Sequence, residues 1–211
     1  NVELIVFFIH KKNYKNNPKK KFEIKEYNYE KKNFFKKKFF KFKNKTYYIN
    51  NLNSKTSIDL VKKINPNLGI LFGTKKVNTK LINAFKKKLI NVHRGIMQKY
   101  RGLDSEYWAL YNKDFQSIGA TVHYVNQFLD KGKIIFEKKL KLNKNIRCHH
   151  LKYITTLIAT RCVIKTLKIL IKKKSIKVFK KQKVGKYYSF INNEQKKVAC
   201  KNLNNYFNRI S

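Results

Sequence analysis

The sequence predicts an α/β fold in which helices flank a mostly parallel sheet. Three observations carry that expectation. Short apolar runs of strand length recur at Val2 to Ile9, Asn67 to Phe72 and Leu89 to His93, as in strands covered on both faces. Segments with helical spacing of apolar residues lie between them. Breakers such as Pro18, Pro66 and Gly73 separate the two kinds of segment, and alternation of this kind is what parallel sheets require. With 211 residues, 42% of them hydrophobic, the chain can bury one sizeable core and is globular in composition.

Taken in order, Val2 to Ile9 reads as a strand buried on both faces, and His10 to Lys21 as a polar loop around Pro18. Phe22 to Phe42 reads as a helix. Phe34, Phe35, Phe39 and Phe42 fall on one side of it, a face suited to docking on a sheet. Aromatics among lysines can also stack on bases, but helical spacing accounts for them without a ligand. Thr46 to Ile49 is a short strand. Ser54 or Ser57 caps a helix to about Ile64, with Ile58, Leu60, Val61 and Ile64 as its apolar residues, and Pro66 ends it. Asn67 to Phe72 is a further buried strand, closed by Gly73, and a helix runs from about Thr79 to Lys88. After the strand ending at His93, Asp104 or Ser105 caps a helix through Tyr111 with Trp108 on its buried side. Strands follow at Gly119 to Val125 and Lys133 to Leu140. Cys148 to Lys172 is a long amphipathic helix with Tyr153, Leu157, Ile164, Leu167 and Ile171 on one face.

The formal net charge is +40, nearly all of it lysine, with arginine only at positions 94, 101, 147, 161 and 209. Lysine, asparagine, isoleucine, phenylalanine and tyrosine share A/T-rich codons, so codon bias accounts for the excess, and any nucleic-acid binding is expected to be non-specific. Such a surface still attracts anionic small molecules. Cys148, Cys162 and Cys200 are odd in number and widely spaced, which predicts neither a zinc site nor a disulfide framework. Cys148, His149 and His150 diverge around a helix and are read as packing residues. Arg161, Lys165 and Lys168 interrupt any membrane span, and no segment reads as a secretory signal. A soluble cytoplasmic protein is the default expectation.

The chemistry concentrates between Asn91 and Gly132. Side chains on a strand alternate faces, so Asn91 and His93 point the same way at the strand's end. An amide and an imidazole there are equipped to polarise a carbonyl and manage a proton. Asp130 follows in a turn before Gly132. In open α/β sheets, ligands bind beyond the carboxyl ends of the strands, which is where these residues fall.

Four ordered elements make this stretch specific: Asn91-Val92-His93, Lys99-Tyr100-Arg101-Gly102, Gly119-Ala120-Thr121-Val122-His123 and Asp130-Lys131-Gly132. Together they resemble the folate-dependent formyltransferases, a family that includes glycinamide ribonucleotide, methionyl-tRNA and amino-sugar formyltransferases. A Leu-Pro pair usual in the loop after the histidine is replaced by Met97-Gln98. That departure bears on the acceptor more than on the chemistry. Gly185-Lys186-Tyr187-Tyr188 is similar to a tail found in some small members.

The resemblance implies a Rossmann-like fold whose first strand and helix would precede Val2. It implies a catalytic domain over residues 1–178, with residues 179–211 as an extension packed on it. The catalytic set it implies is Asn91, His93 and Asp130. Asn91 would donate to a developing oxyanion. A protonated His93, its pKa raised by Asp130, would add a charged donor, and Asp130 would accept the amine's proton, with Thr121 and His123 ordering water. Lys76, Val77 and Phe128 are the implied folate-binding positions, with 10-formyltetrahydrofolate as co-substrate and no metal. The implied reaction is formyl transfer to a primary amine of a small, phosphorylated acceptor, either an amino-sugar nucleotide or glycinamide ribonucleotide. Hydrolysis of 10-formyltetrahydrofolate and a basic RNA- or tRNA-binding protein, including a methionyl-tRNA formyltransferase, stay open. Residues after Lys180 are too few for the extra barrel domain of the tRNA enzyme.

Overall fold

The computed structural model describes residues 3–9, 21–35, 45–86, 88–172 and 176–209. Strand β1 (Val6–Ile9) leads through helix α1 (Lys21–Phe35) to β2 (Thr46–Ile49), which pairs with β1 in parallel. Helix α2 (Lys55–Ile64) starts at Ser54, whose side chain accepts from the Ser57 amide, and ends at Asn65 in the left-handed region. Strand β3 (Gly69–Phe72), helix α3 (Thr79–Ala84) and strand β4 (Leu89–His93) follow, then β5 (Tyr100–Gly102), α4 (Ser105–Tyr111), β6 (Gly119–Tyr124) and β7 (Ile134–Lys139). One 3-10 turn, Cys148–His150, opens into the 21-residue helix α5 (Leu151–Ile171). The chain closes with β8 (Lys186–Tyr188) and α6 (Asn193–Arg209).

The α/β class is as the alternation implies. The four-stranded sheet runs β3-β4-β6-β7, parallel between β3 and β4 and antiparallel across the other two pairings. β5 and β8 form a separate parallel pair. α5 packs across β6 and β7, where Ile90, Val122, Ile135 and Cys162 form one part of the core. A second part, around Tyr107, Leu110, Ile118, Leu151 and Leu203, is sealed by α6 against α4.

Several expectations are corrected. Residues Ile5 to Phe7 are half-buried rather than covered on both faces. β3 alternates buried and exposed residues, leaving Ile70 40% and Phe72 50% exposed, because only one of its faces meets the helices. On α1 the exposed residues include Phe34 and Phe35, and the buried one is Glu26. This helix lies against the 3-10 turn and α5 rather than a sheet, while Phe39 and Phe42 lie outside the described residues. Asp104 adopts a left-handed conformation and makes no side-chain cap; its carboxylate accepts from the Ile191 amide at 3.2 Å. Trp108 is only half-buried, with Tyr107 inward in its place. α5 buries Leu151, Thr155, Ala159, Cys162 and Thr166, and Ile164 and Ile171 are exposed. Finally, Cys148 and Cys200 form a disulfide that joins the turn before α5 to α6. No helix among the described residues is long and apolar enough to cross a membrane.

Candidate active site

β4 ends in the core and delivers Asn91 and His93 to the same face. Its antiparallel register with β6 places His123 opposite Asn91 and Thr121 opposite His93. The link from β6 to β7 then carries Asp130 back over these residues. Asp130 has φ 47°, a left-handed conformation that Asp and Asn tolerate better than most residues. Two residues on, Gly132 lies so close to the Tyr124 carbonyl that any Cβ would strike it. The Asp-x-Gly turn is therefore a steric requirement here. His93, His123 and Asp130 are buried and Asn91 is half-buried, so the cluster opens to solvent on the Asn91 side.

The hydrogen bonds fix the ring states. His93 Nε2 stands 2.8 Å from the Tyr100 carbonyl and 3.2 Å from Ser105 Oγ. A carbonyl only accepts, so Nε2 carries the hydrogen, and Nδ1 faces Asp130 Oδ2 at 3.7 Å. By the same reasoning His123 donates from Nδ1 to the Tyr124 carbonyl at 2.8 Å. Its Nε2 is 3.2 Å from Asn91 Nδ2 and 3.5 Å from Asp130 Oδ1. Asn91 Nδ2 also donates to Asp130 Oδ1 at 3.2 Å, and the Gly102 amide donates to Asp130 Oδ2 at 3.0 Å. Asn91 thus places both amide hydrogens inside the cluster at rest. Both contacts are at the long end for hydrogen bonds and are readily exchanged for a ligand.

Burial pushes the His93 pKa down, and the facing Asp130 and the Tyr100 carbonyl do not overcome it. The expectation of a raised, pre-protonated histidine is corrected: the ring is enclosed by packed protein, and the cost of burying a charge there favours the neutral form. Burial alone would raise Asp130. The facing His123 and His93 and the hydrogen bond from the Gly102 amide outweigh it and hold the carboxyl at about 2. Thr121 and His123, expected to order water, both have direct protein partners. Thr121 Oγ1 donates to the Gly95 carbonyl at 2.7 Å and accepts from the Met97 amide at 3.2 Å, fixing the loop after His93. His123 touches Asn91 and Asp130 directly. The period-two spacing of Thr121 and His123 was the available signal, and the antiparallel register supplies the rest.

These shifts give a pH dependence with a defined sign. Below about 6.5 the unfolded chain protonates its histidine while folded His93 resists, so stability falls on acidification. Asp130's contribution is complete above about 3.9 and is lost as pH drops towards about 2. The melting temperature is expected to decline in two stages on acidification, and His93→Gln should remove part of the upper one. Superimposable wild-type and His93→Gln profiles would contradict this assignment.

A cavity of about 380 Å³ lies beside the cluster's turn, lined by Lys76, Val77, Asn78, Thr79, Gln127 and Phe128. The three positions singled out as cofactor-binding, Lys76, Val77 and Phe128, therefore share one cavity. Val77 is itself buried and packs with Leu81 and Leu89. Asn53 pins the loop that carries Val77: its Nδ2 donates to the Lys76 carbonyl at 3.0 Å and its Oδ1 accepts from the Asn78 amide at 2.8 Å. Nothing in the sequence pattern marks Asn53. Gln127 and Phe128 immediately precede Leu129 and Asp130, so a single turn lines the cavity and positions the carboxylate.

The family model for formyl transferases matches residues 10–153. A methionyl-tRNA formyltransferase of Finegoldia magna is 32% identical over 102 residues, covering 48% of this chain and 33% of that protein. A phosphoribosylglycinamide formyltransferase of Haemophilus influenzae is 32% identical over 97 residues, covering 45% of each. The chain thus spans between a third and a half of the length of these relatives. Among solved structures, the formyltransferase PseJ from Anoxybacillus kamchatkensis, in complex with UDP-4,6-dideoxy-4-formamido-L-AltNAc and tetrahydrofolate, superposes with TM-score 0.61 at 18% identity, covering 90% of this chain and 88% of that one.

Proposed function

The chain belongs to the formyl transferase family, and on that premise we propose that it transfers a formyl group from 10-formyltetrahydrofolate to a primary amine of a small, phosphorylated acceptor, an amino-sugar nucleotide or glycinamide ribonucleotide. The observation that carries the reading is the continuity of cavity and cluster: Gln127 and Phe128 line one, and Asp130 completes the other. Lys76, Val77 and Phe128 would hold the folate, the formyl donor that supplies the one-carbon unit. The small-acceptor choice draws on the PseJ complex and on the glycinamide relative. Residues 1–178 would form the catalytic domain and 179–211 an extension packed on it.

The residues divide the work as follows. The amine nitrogen forms a bond to the formyl carbon, and the bond from that carbon to the folate nitrogen breaks. Asn91 exchanges one of its internal hydrogen bonds for the carbonyl oxygen as that oxygen gains charge; one such donor contributes about 3 kcal/mol. Asp130, ionised at neutral pH, accepts the proton the nitrogen loses, through water. His93, neutral at rest, gains positive charge only during reaction: the same proton passes from Asp130 to its facing Nδ1 and from there to the folate nitrogen as that nitrogen leaves the formyl carbon.

Incubating the protein with 10-formyltetrahydrofolate and a panel of amines should release tetrahydrofolate in step with formamide formation on the amino-sugar nucleotide or on glycinamide ribonucleotide. Formate release without any amine would assign a hydrolase instead. Formylation confined to methionyl-tRNA would overturn the small-acceptor reading.

A further inference from the structure

We propose that Arg101 is a positioning residue that aims the Asp130 carboxylate by strapping the Asp130 turn to the carboxyl-terminal tail. Its Nε donates to the Gly185 carbonyl at 2.6 Å and its Nη1 to the Leu129 carbonyl at 3.1 Å. Both bonds go to main-chain carbonyls, which assigns the side chain to holding segments together. The planar guanidinium fork suits two acceptors at a fixed angle, and a lysine ammonium does not.

The turn needs such an external hold. Gln127, Phe128 and Leu129 are exposed, and Asp130 sits in a conformation few side chains adopt. The turn's internal bonds stop at Asn126, which accepts from the Phe128 amide and donates to the Lys131 carbonyl. β5 supplies the hold with two consecutive residues. Arg101 grips the carbonyl just before Asp130, and the Gly102 amide grips the carboxylate itself. β5 is in turn fixed by β8, with Tyr100, Arg101 and Gly102 in register with Lys186, Tyr187 and Tyr188. Gly102 has φ 92°, and a Cβ there would collide with the Tyr188 carbonyl, so the two strands touch main chain to main chain. A Cβ at Gly185 would likewise collide with the Met97 carbonyl and the Lys99 backbone. Residues 185–188 therefore reach the cluster through Arg101, although no tail residue enters it.

The test compares wild type, Arg101→Lys and Arg101→Met in the full chain, with a readout independent of catalysis. The carboxyl carbon of Asp130 is followed by NMR from pH 6 down to about 3.5. In wild type it should stay flat, since the group titrates at about 2. In both variants it should bend as the carboxyl moves towards its ordinary value of about 3.9. Arg101→Lys keeps the charge but cannot span both carbonyls. A Lys variant that titrates like wild type would mean that charge alone acts and would overturn the proposal, as would two unchanged variants. If Arg101→Met fails to fold, the Lys variant alone decides. The kinetic arm rests on the functional reading above: kcat should fall between about 10- and 100-fold with KM for the formyl donor within about threefold, the pattern of a displaced rather than deleted group. A wild-type protein that formylates nothing would sink that reading and leave the titration arm standing.

Discussion

Asp130→Asn should lower kcat by about 10³-fold while leaving affinity for tetrahydrofolate within about threefold. The magnitude is that of removing a positioned general base whose charge matters chiefly in the transition state. The substitution is conservative in every respect but that one. Asparagine tolerates the left-handed conformation that residue 130 adopts, and its Oδ1 can still accept from the Gly102 amide that now serves Asp130 Oδ2. What disappears is the negative charge against His93 and His123, and with it the group that accepts the amine's proton. The cavity lined by Lys76, Val77 and Phe128 contains no atom of residue 130, so ligand binding there reports folding separately from chemistry. Steady-state kinetics with direct binding of tetrahydrofolate would check both halves. His93→Ala combined with Asp130→Asn should cost little more than the worse single change, because groups acting on one transition state are not additive. Near-wild-type turnover of a folded Asp130→Asn protein would refute the mechanism.

How much of this was legible in the sequence depends on the range of the interaction. Asn91 and His93 share a face by strand periodicity alone, and β4 places them there. The Asp130-x-Gly132 turn was legible as a turn, and its closeness to Tyr124 explains why glycine is needed. Helix faces were read less well. On α5 the long apolar residues suggested the buried stripe, but the helix approaches β6 and β7 closely enough that Thr155, Ala159, Cys162 and Thr166 are the ones that fit. Thr155 and Thr166 satisfy their hydroxyls on the carbonyls of Leu151 and Cys162, so their polarity is no bar to burial. The Cys148–Cys200 pairing spans 52 residues and has no local signal. The neutral state of His93 was equally invisible, since it follows from how completely the fold encloses the ring and not from which residues flank it.

The largest loss of stability is expected from a residue far from the chemistry, Glu26. This carboxylate is 3% exposed on α1. Oε2 bonds Lys152 of α5 at 3.1 Å and Lys196 of α6 at 3.3 Å, and Oε1 accepts a short hydrogen bond from the Tyr107 hydroxyl of α4. Four helices therefore meet on one side chain. Burial pushes the Tyr107 hydroxyl well above its ordinary value, and Glu26 pushes it further, so the tyrosine is a neutral donor throughout the working range. Burial alone would lower Lys152, but Glu26, Glu106 and Asp104 outweigh it and hold the ammonium charged. Glu26→Ala would leave two enclosed ammonium groups without their shared partner and a buried hydroxyl without its acceptor. Removing one side of such a pair typically destabilises by about 3–5 kcal/mol. Glu26→Gln keeps an acceptor for Tyr107 but no charge for the lysines, and should fall between. Because Ser105, on the same α4, holds His93 from 3.2 Å, loosening α4 could in principle reach the chemistry. The expectation is otherwise: β4 and the Tyr100 carbonyl fix His93 independently of α4, so the fraction that remains folded should turn over at a near-normal rate. Urea unfolding with activity normalised to folded protein separates the two effects. A Glu26→Ala protein as stable as wild type would show that the lysines find other partners and that this carboxylate does not hold the helices together.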